Sequence, residues 1–244
     1  MGTCFMLHRA AQRIPKFSYT GSYQVIDDGH GNWRIKLLTS GTLTFLSTLS
    51  KGIDVFLVGG GAGGVSWVST MVATASGGAG YTKTQKNVAV TRGTAYTITI
   101  GAGGAKKSAS GTGNGSASGN AGGNTSAFGY TANGGGKAEC GYRYYPETYN
   151  YNWAHGGNGG SGGGTGSGAG GTNGGNGTFQ GAQQGYAGTG QGTTTREFGE
   201  PDSAMYAQGG GSSTSVVANS GNGGKPGDDG SSGIVVIRNH RGSP

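Results

Sequence analysis

The feature that most constrains this chain is a run of glycine with a period of three. From Gly156 it reads GGN GGS GGG TGS GAG GTN GGN and ends at Gly177. Two of every three positions are mostly glycine, and the third is mostly Asn or Ser. A polyproline-II-type helix has three residues per turn and no internal hydrogen bonds. Its N–H and C=O groups point outward and need partners. With two positions in three bare, two faces of such a helix can lie directly against neighbouring helices. Backbone bonds between helices then satisfy the polar groups, and a bundle of them is ordered despite its composition. The commoner meaning of such a tract is a flexible Gly/Ser/Asn linker. Two features argue against a linker here. Further tracts sit at strand ends (Gly59–Gly64, Gly77–Gly80, Gly101–Gly104, Gly134–Gly136, Gly209–Gly211), and a strand returns near the C-terminus.

Composition removes other classes. Glycine supplies 59 of 244 residues, apolar residues 32% and charged residues 11%. Interior glycine costs ~1 kcal/mol relative to alanine in a helix, which excludes a helical bundle. Collagen needs strict Gly-X-Y with abundant proline, and there are 5 prolines. A charged disordered chain would lack 12 Tyr, 7 Phe and 3 Trp. No apolar run approaches the ~18 residues of a membrane span, and no signal-peptide core is present. Cys4 and Cys140 allow at most one disulfide and form no CxxC metal site.

The rest of the pattern is β. Ser22–Ile26 and Trp33–Leu38 flank the turn-rich stretch Asp27–Asn32. Thr42–Leu46 and Ala95–Ile100 alternate on a period of two, Ile53–Val58 is a short buried-type strand, and Ile234–Ile237 closes the chain. No segment has an apolar 3.6 repeat with caps. The expected fold is all-β: a small antiparallel β-sandwich carrying a bundle of polyglycine-II helices, with almost no α-helix. Residues 1–20 read as an attachment lead and 21–244 as one domain. Within it, strands lie mainly in 22–100 and 231–238, and glycine tracts and loops fill 101–230.

Four segments carry a family resemblance. IDVFLVGGGAGG at Ile53–Gly64, ITIGAGG at Ile98–Gly104, NTSAFGYTANGGG at Asn124–Gly136 and GSSGIVVIR at Gly230–Arg238 resemble, in that order, the glycine-rich domains of phage and prophage tail-fibre proteins. The resemblance spans most of Tyr19–Arg238. It implies a polyglycine-II bundle whose intervening loops bind a host receptor. It also implies residence in the virion tail fibre or an extracellular particle after synthesis in the bacterial cytoplasm. The chain departs from a full fibre in having no shaft repeats.

Motifs for chemistry are weak. Gly59-x-Gly61-x-x-Gly64 follows an apolar strand, as in dinucleotide-binding folds. It is followed by β-branched residues rather than a helix, and no acid occurs between Asp54 and Glu139 to hold a ribose. Gly101–Ser108 lacks the P-loop spacing. The histidines His8, His30, His155 and His240 are scattered, and Asp27-Asp28 and Asp228-Asp229 sit in glycine-bounded turns that suit Asx turn chemistry. No GxSxG elbow is present. The expectation is a binding protein rather than an enzyme, with no cofactor and no metal.

The one concentrated feature is YRYYPETYNYNW, Tyr142–Trp153, between two glycine tracts. Tyrosine with Asn and Gly is paratope-like: large contact area at low entropic cost, with adaptable polar groups. Flat rings also suit sugar faces. Some of these rings are expected to pack on the bundle and some to face out. The candidate receptor-binding residues are Tyr142, Arg143, Tyr144, Tyr145, Tyr149, Tyr151 and Trp153, with Phe198 and Tyr206 from a second loop, Thr193–Tyr206. Val65–Thr74 is a third candidate loop, with Trp67 and Met71 exposed. The net charge is +7. Lys83, Lys86, Arg92, Lys106, Lys107 and Lys137 form an acid-free basic stretch that would steer toward an anionic envelope. The expected partner is a bacterial surface glycan or outer-membrane protein. The chain would sit as a monomer on a fibre shaft or as a homotrimer, with neither nucleic-acid binding nor membrane insertion. Two rivals are a structural filament subunit and an ice-binding protein, the latter disfavoured by the bulky tyrosine loop.

Overall fold

The computed structural model describes residues 14–69, 71–145, 150–181, 184–211 and 214–241. Among them are nineteen strands and one short 3-10 turn. In chain order the strands are β1 (Phe17–Tyr19), β2 (Tyr23–Gly29), β3 (Asn32–Leu37), β4 (Gly41–Phe45), β5 (Ile53–Val58), β6 (Val65–Val68), β7 (Val72–Ala75), β8 (Thr82–Val88), β9 (Ala95–Ile98) and β10 (Lys107–Ser110). They continue as β11 (Gly115–Ser118), β12 (Thr125–Ala127), β13 (Tyr130–Ala132), β14 (Glu139–Arg143), β15 (Tyr151–His155), β16 (Thr165–Gly166), β17 (Phe179–Gln180), β18 (Gln184–Tyr186) and β19 (Ile234–Asn239).

The first sandwich forms where the apolar alternation is strongest. Its larger sheet has the order β2-β3-β19-β5-β8 and its smaller one β1-β4-β9. The expected hairpin joins β2 to β3 through residues 29–31, all at positive φ. Asp27 Oδ1 accepts the Gly29 N–H at 2.9 Å, the turn chemistry its type favours. Ile35, Val55, Leu57, Val235 and Ile237 meet Leu43, Phe45 and Ile98 between the sheets. The opposite face of the larger sheet buries Phe56, Val58, Ile234 and Val236 under Phe198 and Tyr206. Strand β5 is therefore buried at every position.

Its one acid, Asp54, stands in register with Arg238, whose Nε donates to Asp54 Oδ2 at 3.0 Å. His240 Nδ1 lies 2.7 Å from Asp54 Oδ1, and the Asn87 N–H donates to the same oxygen at 3.0 Å. Burial alone would raise the Asp54 pKa. The bonds with His240, Asn87 and Arg238 outweigh it and hold the carboxyl below its usual range.

A second, smaller sandwich packs sheet β10-β6-β7-β16-β17 on sheet β11-β14-β15-β18. Its core is Val65, Trp67, Ala75, Ala138, Cys140, Tyr142 and Ala154. Strands are thus more numerous in 101–230 than expected, where tracts and loops were to dominate. Segments such as KSAS, GSAS and QGY carry no apolar alternation, and pairing with a neighbour rather than propensity makes them strands. The expected lead is also shorter, because Phe17–Tyr19 pairs with β4. Residues 1–13, including Cys4, lie outside the described residues. Cys140 is a free, buried thiol, pushed up to about 12 by burial.

Glycine tracts connect the two sandwiches. Gly59–Gly64 joins β5 to β6, and Ser76–Tyr81 returns from β7 to β8. The N–H groups of residues 59 to 64 donate in turn to Tyr81, Gly123, Ser231, Gly78, Asn120 and Asp228, at 2.8–3.0 Å. Partners recur every third residue, from three different segments. The carbonyls of Gly60, Gly61 and Ala62 accept from Gly135, Gly104 and Gly224, on three further segments. The tract thus has six neighbours, as a polyglycine-II helix at the centre of a bundle must. Ser76–Tyr81 repeats the pattern, donating to Gly164, Gly224, Gly136, Ser161, Gly221 and Asn133. Side chains have no room between such helices: a Cβ on Gly61 would lie 1.9 Å from the Asn222 carbonyl oxygen.

The run 156–177 is not one helix. The Gly163 N–H donates to Gly157 O, Gly171 to Gly162 O, and Gly177 to Gly188 O, so the chain folds back on itself. Six residues at ~3.1 Å rise give the tract 59–64 a length of about 19 Å, which the full run would far overshoot. Ser161 falls at a reversal and is buried, its Oγ accepting the Gly174 N–H at 3.1 Å.

Candidate functional site

Strand β15 reads Tyr-Asn-Trp-Ala-His and alternates half-buried and buried. Asn152 and Ala154 turn inward, and Asn152 Nδ2 donates to Val72 O at 2.6 Å. Tyr151, Trp153 and His155 turn outward. On one side β14 places Arg143, Gly141 and Glu139 opposite them, in register. On the other, β18 runs parallel and places Gln184 beside Trp153 and Tyr186 beside His155.

The result is a ledge of rings on the outer face of the second sandwich. Tyr145 stacks on Tyr151 at 6.1 Å between centroids and 18° between planes. Trp153 meets His155 at 5.0 Å, and His155 stacks on Tyr186 at 4.1 Å and 13°. Arg143, Tyr151, Trp153, His155, Gln184 and Tyr186 line a shallow groove of about 370 Å³. Tyr186 is 57% exposed and Tyr145 48%. Two glycines make the ledge flat. A Cβ on Gly141 would meet Trp153 Nε1 at 2.8 Å and Gly115 O at 2.3 Å. A Cβ on Gly185 would lie 1.9 Å from Ala154 O and would push β18 away.

The ledge carries a cation. Arg143 is exposed, and no ion pair is formed by it among the described residues. Glu139, at the far end, is paired with Lys137 at 2.7 Å, which holds its carboxyl below the usual range.

Several expected binding residues lie elsewhere. Tyr142 is buried in the second sandwich, because its position in β14 faces inward opposite Asn152. Phe198 and Tyr206 are buried as well. Their rings sit 6.0 and 5.5 Å from Phe56. Arg34 Nη1 donates to Glu197 Oε1 at 2.7 Å, and Arg238 Nη1 to Glu200 Oε1 at 2.6 Å, so ion pairs clamp this loop to the sheet. Tyr206 OH donates to Glu197 Oε2 at 3.2 Å; burial and that carboxylate raise its phenol pKa. Trp67 is buried where an exposed ring was expected, packed on Gly111 and Gly115. Tyr144 is exposed, its N–H donating to Asn114 Oδ1 at 2.6 Å, but it does not line the groove. Tyr149 lies outside the described residues.

The sequence reading therefore named Arg143, Tyr145, Tyr151 and Trp153 of this ledge and missed His155, Gln184 and Tyr186. The alternation Tyr151-x-Trp153-x-His155 was a signal for the first of these. The other two arrive through parallel pairing that no local pattern announces.

A larger cleft of about 620 Å³ opens beside Lys36, Tyr206 and Asn219. Its asparagine amides are already used: Asn219 Nδ2 donates to Leu38 O and Gly233 O, and Asn222 Nδ2 to Ser215 O. The nucleotide-like glycines are likewise engaged, since the N–H groups of Gly59, Gly61 and Gly64 all serve neighbouring segments.

A family model described as a glycine-rich domain matches residues 38–240. No curated protein matches the chain.

Proposed function

The chain belongs to the glycine-rich domain family, and on that premise we propose that it is a receptor-binding protein at the tip of a phage or prophage tail fibre. It attaches to a bacterial surface glycan or outer-membrane protein. The observation that carries the reading is the ring ledge at one end of a rigid bundle. Residues 14 and 241, where the described chain begins and ends, belong to the first sandwich, through β1 and through Arg241 with Asp28. The ledge belongs to the second. Mechanism is presentation: rings fixed on paired strands lose little freedom on binding, and exposed lysines on the flanks raise the rate of encounter with an anionic surface.

The alternative is a filament subunit held by glycine helices packed between chains. Against it, residues 59–64 and 76–81 have every backbone N–H bonded within the one chain.

The test is adsorption of labelled protein to a panel of bacterial strains, with Tyr186→Ala and Trp153→Ala beside the parent. Strain-restricted binding lost in both folded variants is the expected result. Binding to no strain in a broad panel overturns the reading and moves it to the filament subunit, which concentration-dependent fibre assembly would reveal.

A further inference from the structure

The ledge has a length, a direction and a charge, and together they define a ligand. Tyr151, Trp153 and His155 follow one another at two-residue intervals, so at ~3.4 Å per residue the row runs about 14 Å along β15. That accommodates several linked sugar rings rather than one. The row is one-sided. Inward positions are filled by Asn152 and Ala154, and the Trp153 ring lies against the backbone of Gly141, where a Cβ would meet Nε1 at 2.8 Å. Polar groups stand along both margins: Arg143 on the β14 side and Gln184 on the β18 side.

Charge separates acidic from neutral ligands. The Arg143 guanidinium presents a planar fork of donors suited to a carboxylate or phosphate. Among the described residues of β14, β15 and β18 the acid is Glu139, which stands at the opposite end and is paired with Lys137.

We propose that the ledge binds an acidic oligosaccharide, laid along β15 with its rings against Tyr151, Trp153 and the His155–Tyr186 stack and an anionic substituent on Arg143. The proposal rests on the receptor-binding reading and narrows it to a glycan of stated charge. Carboxylate and phosphate share the chemistry Arg143 recognises.

Trp153 supplies the readout. The other two tryptophans, Trp33 and Trp67, are 0% and 8% exposed, so a ligand on the ledge changes the emission of Trp153 alone. Intact protein is titrated with tetragalacturonate and a series of other uronate oligomers, with a phosphorylated oligomannose, and with maltotetraose as a neutral counterpart. Acidic oligomers are expected to quench emission more strongly than maltotetraose, and tetramers to bind more tightly than the single sugars. The carboxylate and phosphate arms identify which anion fits.

Arg143→Gln, an exposed substitution that leaves the fold alone, is expected to weaken acidic binding roughly ten- to hundredfold, the worth of one charge-assisted hydrogen bond, while leaving neutral binding unchanged. Equal affinity for acidic and neutral tetramers overturns the proposal, as does an Arg143→Gln variant that binds acids like the parent. So does the absence of any response to the acidic series. If strain-restricted adsorption is nonetheless lost in Tyr186→Ala, receptor binding stands and only the acidic-glycan assignment falls.

Discussion

The first sandwich and the glycine bundle alternate along the chain, yet they cohere by opposite means. In the sandwich, side chains fill the space. Trp33, Ile35, Phe45 and Leu57 are fully buried, and each contributes through apolar area withdrawn from water. In the bundle the backbone is itself the filling. Successive N–H groups of Gly59–Gly64 point to different neighbours, and at its glycines, such as Gly61, the packing distance leaves no room for a methyl group. The difference teaches where each region is fragile. The sandwich is damaged by taking atoms away, and the bundle by adding them.

The largest test of that contrast is Gly61→Val. Its first added carbon would fall 1.9 Å from the Asn222 carbonyl oxygen, with backbone on both sides. Loss should exceed the ~3 kcal/mol common for overpacked cores, and no folded protein is expected by circular dichroism or gel filtration. A folded variant would break the contrast outright. Next comes Leu57→Ala in the sandwich, expected to cost about 2–5 kcal/mol by denaturant unfolding without changing the fold.

Acid sharpens the contrast further. Asp54 and Asp28 are held below their ordinary value in the folded state, against the burial that would raise them; hydrogen bonds and ion pairs with His240, Arg238, Arg34 and Arg241 are responsible. A depressed carboxyl stabilises above its unfolded pKa, near 3.8, and that contribution is lost as pH falls through the folded value. The central tracts hold no acid. Hydrogen exchange should therefore show β5 and β19 losing protection, as pH drops below about 4, before Gly60–Gly64 does. Simultaneous loss would mean that the two regions are not separately stabilised. The smallest effect is Gly113→Ala. Nothing lies within 4 Å of the added carbon, so the change should stay within about 0.5 kcal/mol.

The same contrast explains what the sequence made legible. The sandwich strands stood out because apolar side chains mark faces: Ile53–Val58, Thr42–Leu46 and Ile234–Ile237 all match their strands to within a residue or two. The bundle was legible as a period, since three residues per turn leaves its trace in which positions are bare. Its connectivity was not. Gly59–Gly64 carries nothing to say that residues 120–123 and 228–231 lie beside it, because glycine has no side chain with which to choose. The second sandwich was hidden for a related reason, its strands being Ser, Ala and Gly held by pairing. At the ledge, Tyr151 and Trp153 were visible as composition. Tyr142 was misplaced because a cluster of tyrosines does not reveal which pleat faces out. Phe198 and Tyr206 were misplaced because the clamps on their loop, Arg34 and Arg238, are far away in sequence.

One more consequence follows from the central tract, and it concerns time. Gly60 bonds to Gly123, Gly61 to Ser231 and Gly64 to Asp228, and β5 also needs β19 at its side. A ribosome delivers roughly 5–20 residues per second, so the first tract emerges and then waits on the order of ten seconds for the partners that complete it. Until then the amides of Gly61 and Gly64 have only water, while Gly59, Gly60, Ala62 and Gly63 find partners between residues 78 and 123. The bundle is completed only when the last tenth of the chain arrives. Folding of this molecule is therefore governed less by any local preference than by the order in which its segments are born.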